Sequence, residues 1–148
     1  MSLGAKIMDE MKTAMKAKDT VALEALRAIK SEILLAQTSA GGGDLTEEDE
    51  IKLLQKLVKQ RKDSAAIFNE QNRADLAEPE LAQVAVIEKF LPAQLSEAEV
   101  EVIIAKIIAS TGANGMAAMG QVMGQASKEL AGQADGKTIS TIVKKLLA

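Results

Sequence analysis

The chain has 148 residues, enough for one domain or two small subdomains, and its 47% hydrophobic and 26% charged residues are those of an ordinary soluble protein. A formal charge of −3 gives no global attraction to nucleic acid or to an anionic membrane, so either partner needs a local basic patch. The absence of Cys and His excludes disulfides, thiol catalysis, the usual neutral-pH general base and the commonest metal ligands, and with no Trp or Tyr there is almost no platform for stacking bases.

Taken in order, Leu3, Ile7, Met8, Met11 and Met15 recur at spacings of three and four and predict an amphipathic helix over residues 3–17. Lys18-Asp19-Thr20 breaks that pattern, and Asp19 suits the N-cap of a second helix with Leu23, Leu26, Ile29, Ile33 and Leu34 inward. Gly41–Gly43 reads as a mobile loop, because three successive glycines are not cheaply held in a helix. It lacks the Gly-Lys-Ser/Thr ending of a phosphate loop, and Glu47, Glu48, Asp49 and Glu50 follow it, so a linker is the better reading.

Thr46 and Asp49 form a capping box for a long helix from Glu47 to about Asn69, with Ile51, Leu54, Leu57, Val58, Ala65 and Phe68 inward. Arg61 falls in the register of that apolar stripe, so it must pair, snorkel or open onto a cleft; a structural role is favoured over ligand contact. Lys52, Lys56 and Lys59 make the one basic stripe, read as a solvated face balanced by acids rather than as an RNA-binding face. Arg73 to Leu76 is expected to turn the chain, and Pro79 to sit in the first turn of the next helix, whose core face is Leu81, Val84, Ile87 and Leu91. Leu91-Pro92 ends that helix and marks a boundary between residues 1–92 and 93–148.

Ser96 and Glu99 form a second capping box, opening a helix with Val100, Ile103, Ile104, Ile107 and Ile108 inward and Gly112 at its end. In Gly115 to Gly124, Met116, Met119 and Met123 recur at helical spacing, as a packed face or else as an adaptable partner groove. Gly120 and Gly124, one turn apart, suggest a helix crossing too tight for side chains. Asp135, before Gly136 and Lys137, caps the last helix. No run alternates with period two, so the expected fold is all-α: a long-helix N-terminal subdomain followed by a small C-terminal three-helix bundle.

Met119-Gly120-Gln121-Val122-Met123-Gly124, followed by Ala134-Asp135-Gly136-Lys137, resembles the GatB/YqeY family. Lys18-Asp19, Leu26-Arg27, the run Lys59 to Ser64 with Arg61 and Asp63, Arg73 to Leu76, and Phe90 to Ser96 fall where YqeY-like proteins have similar words. The resemblance covers nearly the whole chain. It implies kinship with the tail of the B subunit of the tRNA-dependent amidotransferase, a tail that contacts tRNA. It therefore implies a binding module for tRNA or an aminoacyl-tRNA-processing complex, with Gln121, Lys128, Gln133, Lys137, Lys144 and Lys145 as candidate contacts. The family often carries basic residues where this chain has Gln121 and Gln133, so phosphate contacts there are reduced.

Two other functions stand beside this one: a subunit-like part in a carbon–nitrogen ligase with glutamine as amido-N-donor, and a protein–protein adaptor using the methionine row. Neither a Cys nucleophile nor a Gly-rich Ser-Ser segment with an upstream Lys is present, so independent catalysis is not expected. No cofactor, metal or membrane partner is expected. Without cysteines, and without an N-terminal signal-peptide core, a cytoplasmic location is the expectation.

Overall fold

A computed structural model describes residues 2–39 and 43–148. Among them the chain is all-α, as its periodicity requires, with seven α-helices and one 3-10 turn. They are α1 (Leu3–Ala17), α2 (Thr20–Thr38), α3 (Glu47–Glu70), α4 (Ala74–Glu88), α5 (Glu97–Thr111), α6 (Met119–Glu129) and α7 (Gly136–Leu147), with the 3-10 turn at Met116–Ala118 before α6. The residues group into two compact units, Met1–Leu91 and Pro92–Ala148. Of the expected loop at Gly41–Gly43, the first two residues lie outside the described residues. Gly43 is described, with φ +109°.

Local chemistry sets most helix ends. Ser2 Oγ accepts from the Ala5 N–H at 3.2 Å, and Asp19 Oδ1 accepts from the Ala22 N–H at 3.0 Å. Both side chains satisfy first-turn donors that have no partner inside the helix. Between α1 and α2 the chain reverses through Lys18 in the left-handed region (φ +55°), which lets the Asp19 N–H reach the Ala14 carbonyl at 2.9 Å. Thr46 with Asp49 and Ser96 with Glu99 form reciprocal capping boxes at α3 and α5. Gly112, with φ +66°, terminates α5 in a conformation that costs glycine nothing.

In the N-terminal unit, α3 and α4 form a hairpin through Gln71 to Arg73, and α2 packs against α1, α3 and α4. The core is built from Leu3, Ile7 and Ala14 of α1, Ala25, Leu26, Ile29 and Ile33 of α2, Leu53, Leu54, Leu57 and Val58 of α3, and Val84 and Ile87 of α4. A hydrogen bond from the Leu3 N–H to Glu50 Oε2 (2.9 Å) ties the start of α1 to the first turn of α3.

Several expected core positions point elsewhere. Met8 and Met15 are exposed, and Ala14 is buried in their place, because the apolar row expected on α1 spans a wider arc than the helix buries. Leu34 and Leu81 are likewise exposed at the margins of their stripes. Pro79 is not a first-turn residue. Helix α4 starts five residues earlier, at Ala74, and carries Pro79 inside. The Arg73 carbonyl opens the helix by accepting from the N–H groups of Leu76 (3.0 Å) and Ala77 (3.1 Å). The bond that proline cannot make is the one to the Asp75 carbonyl, at an exposed residue that solvent can reach.

The C-terminal unit is a three-helix arrangement in which α5, α6 and α7 all pack on one another. Its core is Val100, Ile104 and Ile107 of α5, Val122 and Ala126 of α6, Leu130 and Ala134 of the connection, and Ile139, Ile142, Val143 and Leu147 of α7. Gly120 and Gly124 do not face a neighbouring helix. A Cβ added to either would meet nothing within 4 Å. The small Ala126 and the β-branched Val122 make the close face of α6 instead. The methionine row is also broken up: Met116 lies in the 3-10 turn and is exposed, while Met119 and Met123 pack against the core.

Candidate functional site

The candidate contacts Gln121 and Lys128 both lie exposed on α6, with Gly124 between them at spacings of three and four. These three residues therefore share one face of the helix. Because Gly120 and Gly124 carry no side chain there, the backbone of α6 is open to a partner along that face. Neither Gln121 nor Lys128 has a side-chain partner among the described residues.

Lys137, Lys144 and Lys145 form a second exposed line, on α7. Its origin is the Asp135 cap, whose Oδ1 accepts from the Thr138 N–H at 2.7 Å, with Gly136 as the first helical residue. Lys144 and Lys145 occupy the last turn, where positive charge complements the helix dipole. Lys145 is shared with Glu101 of α5, 3.3 Å away. Between α5 and α7, Glu97, Glu101, Lys137, Thr141 and Lys145 border a shallow cavity of about 250 Å³. With lysines and glutamates interleaved, this surface offers a mixed field rather than a purely cationic one.

Gln133 is placed differently from the others. Its N–H donates to the Leu130 carbonyl and its carbonyl accepts from the Leu95 N–H, each at 2.9 Å. The residue is half-buried, so its backbone clamps the α6–α7 connection to the segment that precedes α5. Gln94 reinforces the clamp, donating from Nε2 to the carbonyls of Gly132 (2.6 Å) and Pro92 (2.9 Å). Periodicity carries no signal for Gln94; its place inside the run Phe90 to Ser96 was the available clue.

On α3 the basic stripe is fully engaged with acids. Lys52 meets Glu48 at 3.2 Å, Lys56 meets Glu32 at 3.4 Å and Lys59 meets Asp63 at 3.1 Å. These solvent-facing pairs are worth little individually, but they leave no free cationic row along that stripe. Arg61 enters a relay: its Nε donates to Gln83 Oε1 (2.9 Å), its Nη1 donates to the Leu57 carbonyl (3.2 Å), and Gln83 Nε2 donates to Glu24 Oε2 (3.1 Å). The guanidinium is thus joined to a carboxylate through an amide, and α2, α3 and α4 are linked by one chain of hydrogen bonds.

The carboxylates that shift do so downward. The Thr46 N–H and hydroxyl hold Asp49 low, the Ser96 N–H and hydroxyl hold Glu99 low, and the Arg73 guanidinium holds Asp75 low. A carboxyl stabilised as its anion is a poor proton donor at neutral pH, so these groups serve as caps and an ion pair. No cluster of three or more His, Cys, Asp or Glu suited to a metal ion occurs among the described residues.

A family model described as Yqey-like protein matches residues 4–147. The chain is 36% identical over 107 residues to the Altered inheritance of mitochondria protein 41, mitochondrial, of Lachancea thermotolerans, covering 70% of this chain and 57% of that one. The protein of the same name from Pyrenophora tritici-repentis is 27% identical over 147 residues, 96% of this chain and 79% of its own length. The E subunit of the glutamyl-tRNA(Gln) amidotransferase of Thermococcus gammatolerans is 35% identical over 102 residues, which cover 66% of this chain but 16% of that protein. The chain thus spans little more than half of the Lachancea relative and a small part of the Thermococcus one. These matches correct the expectation of a cytoplasmic protein, since the Lachancea and Pyrenophora relatives are named as mitochondrial. The expectation failed because a composition without cysteine is compatible with many compartments and selects none.

Proposed function

The chain belongs to the Yqey-like protein family, and on that premise we propose that it is an accessory module without its own active site. Its C-terminal unit would meet tRNA or an aminoacyl-tRNA-processing complex. The observation that carries this reading is the match over 102 residues to one component of a glutamyl-tRNA(Gln) amidotransferase, a protein whose name joins tRNA to amide transfer. The surface of the C-terminal unit is compatible with the role. Residues 92–148 hold five Lys and five Asp or Glu, so the whole formal charge of −3 belongs to residues 1–91. A neutral unit with Lys128, Lys137 and Lys144 exposed attracts phosphates weakly without repelling them.

The test is a titration of tRNA with the parent chain and a Gln121→Lys, Gln133→Arg double variant at several salt concentrations. Each phosphate newly neutralised steepens the log–log salt dependence by about 0.7 to 0.9 units. The parent is expected to bind weakly with a shallow slope, and the variant more tightly with a steeper one. Gln121 contributes more to the change, since its side chain is exposed whereas Gln133 is half-buried. Identical affinity and slope for both proteins would retire RNA as the ligand of this surface and leave a protein component of the complex as the partner.

A further inference from the structure

Helix α1 carries an exposed face that neither the core nor any ion pair among the described residues uses. Helix α1 buries Leu3, Ile7 and Ala14 along one line. Met8, Lys12, Met15 and Lys16 recur at i, i+4, i+7 and i+8 and centre roughly 145° round the helix from that line. The two methionines are 46% and 54% exposed. On the neighbouring α2, Arg27 and Lys30 are exposed, and Leu34 is 52% exposed. A single exposed apolar side chain is ordinary, but here two large apolar side chains alternate with two cations along the same helix face, with the exposed Asp9 at its edge.

The charge around them is unbalanced. Residues 2–39 carry six Lys or Arg and five Asp or Glu, against seven and eleven in residues 44–91. Of the five acids, Glu32 pairs with Lys56, while Asp19 as the α2 cap and Glu24 as acceptor from the neutral Gln83 amide keep their charge. None of the six cationic side chains has a partner among the described residues. The acids lie mainly on α3 and α4, whereas this face of α1 carries Lys12 and Lys16 with Asp9 at its edge.

We propose that this face is a docking surface for an anionic phospholipid bilayer. Such a surface presents phosphates to the lysine ends and an acyl boundary to the methionines, and the aliphatic stems of Lys12 and Lys16 span the two layers. RNA would engage the cations but set the methionines against sugar and phosphate. No helix among the described residues is long and apolar enough to cross a membrane singly, and the contact proposed for this face of α1 is peripheral. The inference does not depend on the RNA reading, which concerns other residues.

Vesicle flotation of the full chain tests it, using phosphatidylcholine vesicles with and without phosphatidylglycerol. The parent should float only with the anionic vesicles. Lys12→Gln with Lys16→Gln should weaken that partition about 25-fold, at about fivefold per lysine. Met8→Gln with Met15→Gln should weaken it at least about fivefold. Both pairs are exposed, so thermal melts should match the parent. Equal recovery of the parent on both vesicle types overturns the proposal. So does loss of binding in the lysine variant with full binding in the methionine variant. That pattern marks a polyanion patch, and tRNA titration of the same variants would then identify RNA as its ligand.

Discussion

Gly124 shows how one residue's environment reverses the meaning of its type. A glycine pair one turn apart suggested a close helix crossing, for which a larger side chain would be destabilising. Instead both glycines face open space on α6, so the local backbone term is all that remains. Replacing Gly124 with Ala should raise stability by about 0.5–1 kcal/mol through helix propensity alone, because no neighbour has to move. Gly120 lies in the first turn and should gain less. Thermal melts of the two Ala variants measure this, and a lower melting temperature for Gly124→Ala would show that the face is covered. An exposed glycine leaves its backbone open to the approach of another molecule, which suits the proposed role of the Gln121–Lys128 face.

Among the elements, α3 depends most on polar chemistry at both its start and its middle. Its N-terminus combines a capping box with four acids in the first turn, which complement the positive end of the dipole. Its middle holds Arg61, whose guanidinium is linked to the Glu24 carboxylate through hydrogen bonds of the Gln83 amide. Gln83→Leu should cost about 1–3 kcal/mol, because it removes two hydrogen bonds involving charged groups and leaves a half-buried guanidinium with only the Leu57 carbonyl. In a double-mutant cycle with Arg61→Met, the two losses should be less than additive by at least about 0.5 kcal/mol. Strict additivity in urea melts would mean that the relay does not act as a unit. The paired stripe Lys52, Lys56 and Lys59 is better described as the outer surface of this helix than as a binding row.

At the scale of the molecule, two separate apolar cores occur, one in each compact unit, and Pro92 to Gln94 lie between them in sequence. The C-terminal core includes eleven buried residues drawn from three helices and their connection. We therefore propose that residues 92–148 fold alone, although a domain of about 60 residues is marginal because it buries only about 60% of its unfolded surface. The fragment should keep its helical circular dichroism and melt in one cooperative transition. A fragment with a coil spectrum at low temperature would show that it needs the first unit. The Gln94 and Leu95 bonds to the α6–α7 connection argue for starting the fragment at Pro92, since a start at Ser96 would remove both.

Much of the fold was legible in the chain because its causes are local. The 3.6-residue recurrence of apolar side chains, the caps at Asp19, Thr46, Ser96 and Asp135, and the stop at Gly112 act over a few residues. Those features place the helices whatever their neighbours do. The family was legible too, from short words spread along the whole chain. Tertiary structure alone decided which arc of each helix would be covered. Periodicity marks an apolar face but cannot tell that Ala14 enters the core while Met8 and Met15 stay outside, or that Gly120 and Gly124 look onto open space. It likewise decided the partners of Arg61 and Lys56, which lie 22 and 24 residues away in sequence on other helices. Long-range pairing depends on how packed helices are aligned, and that alignment is a property of the assembled core.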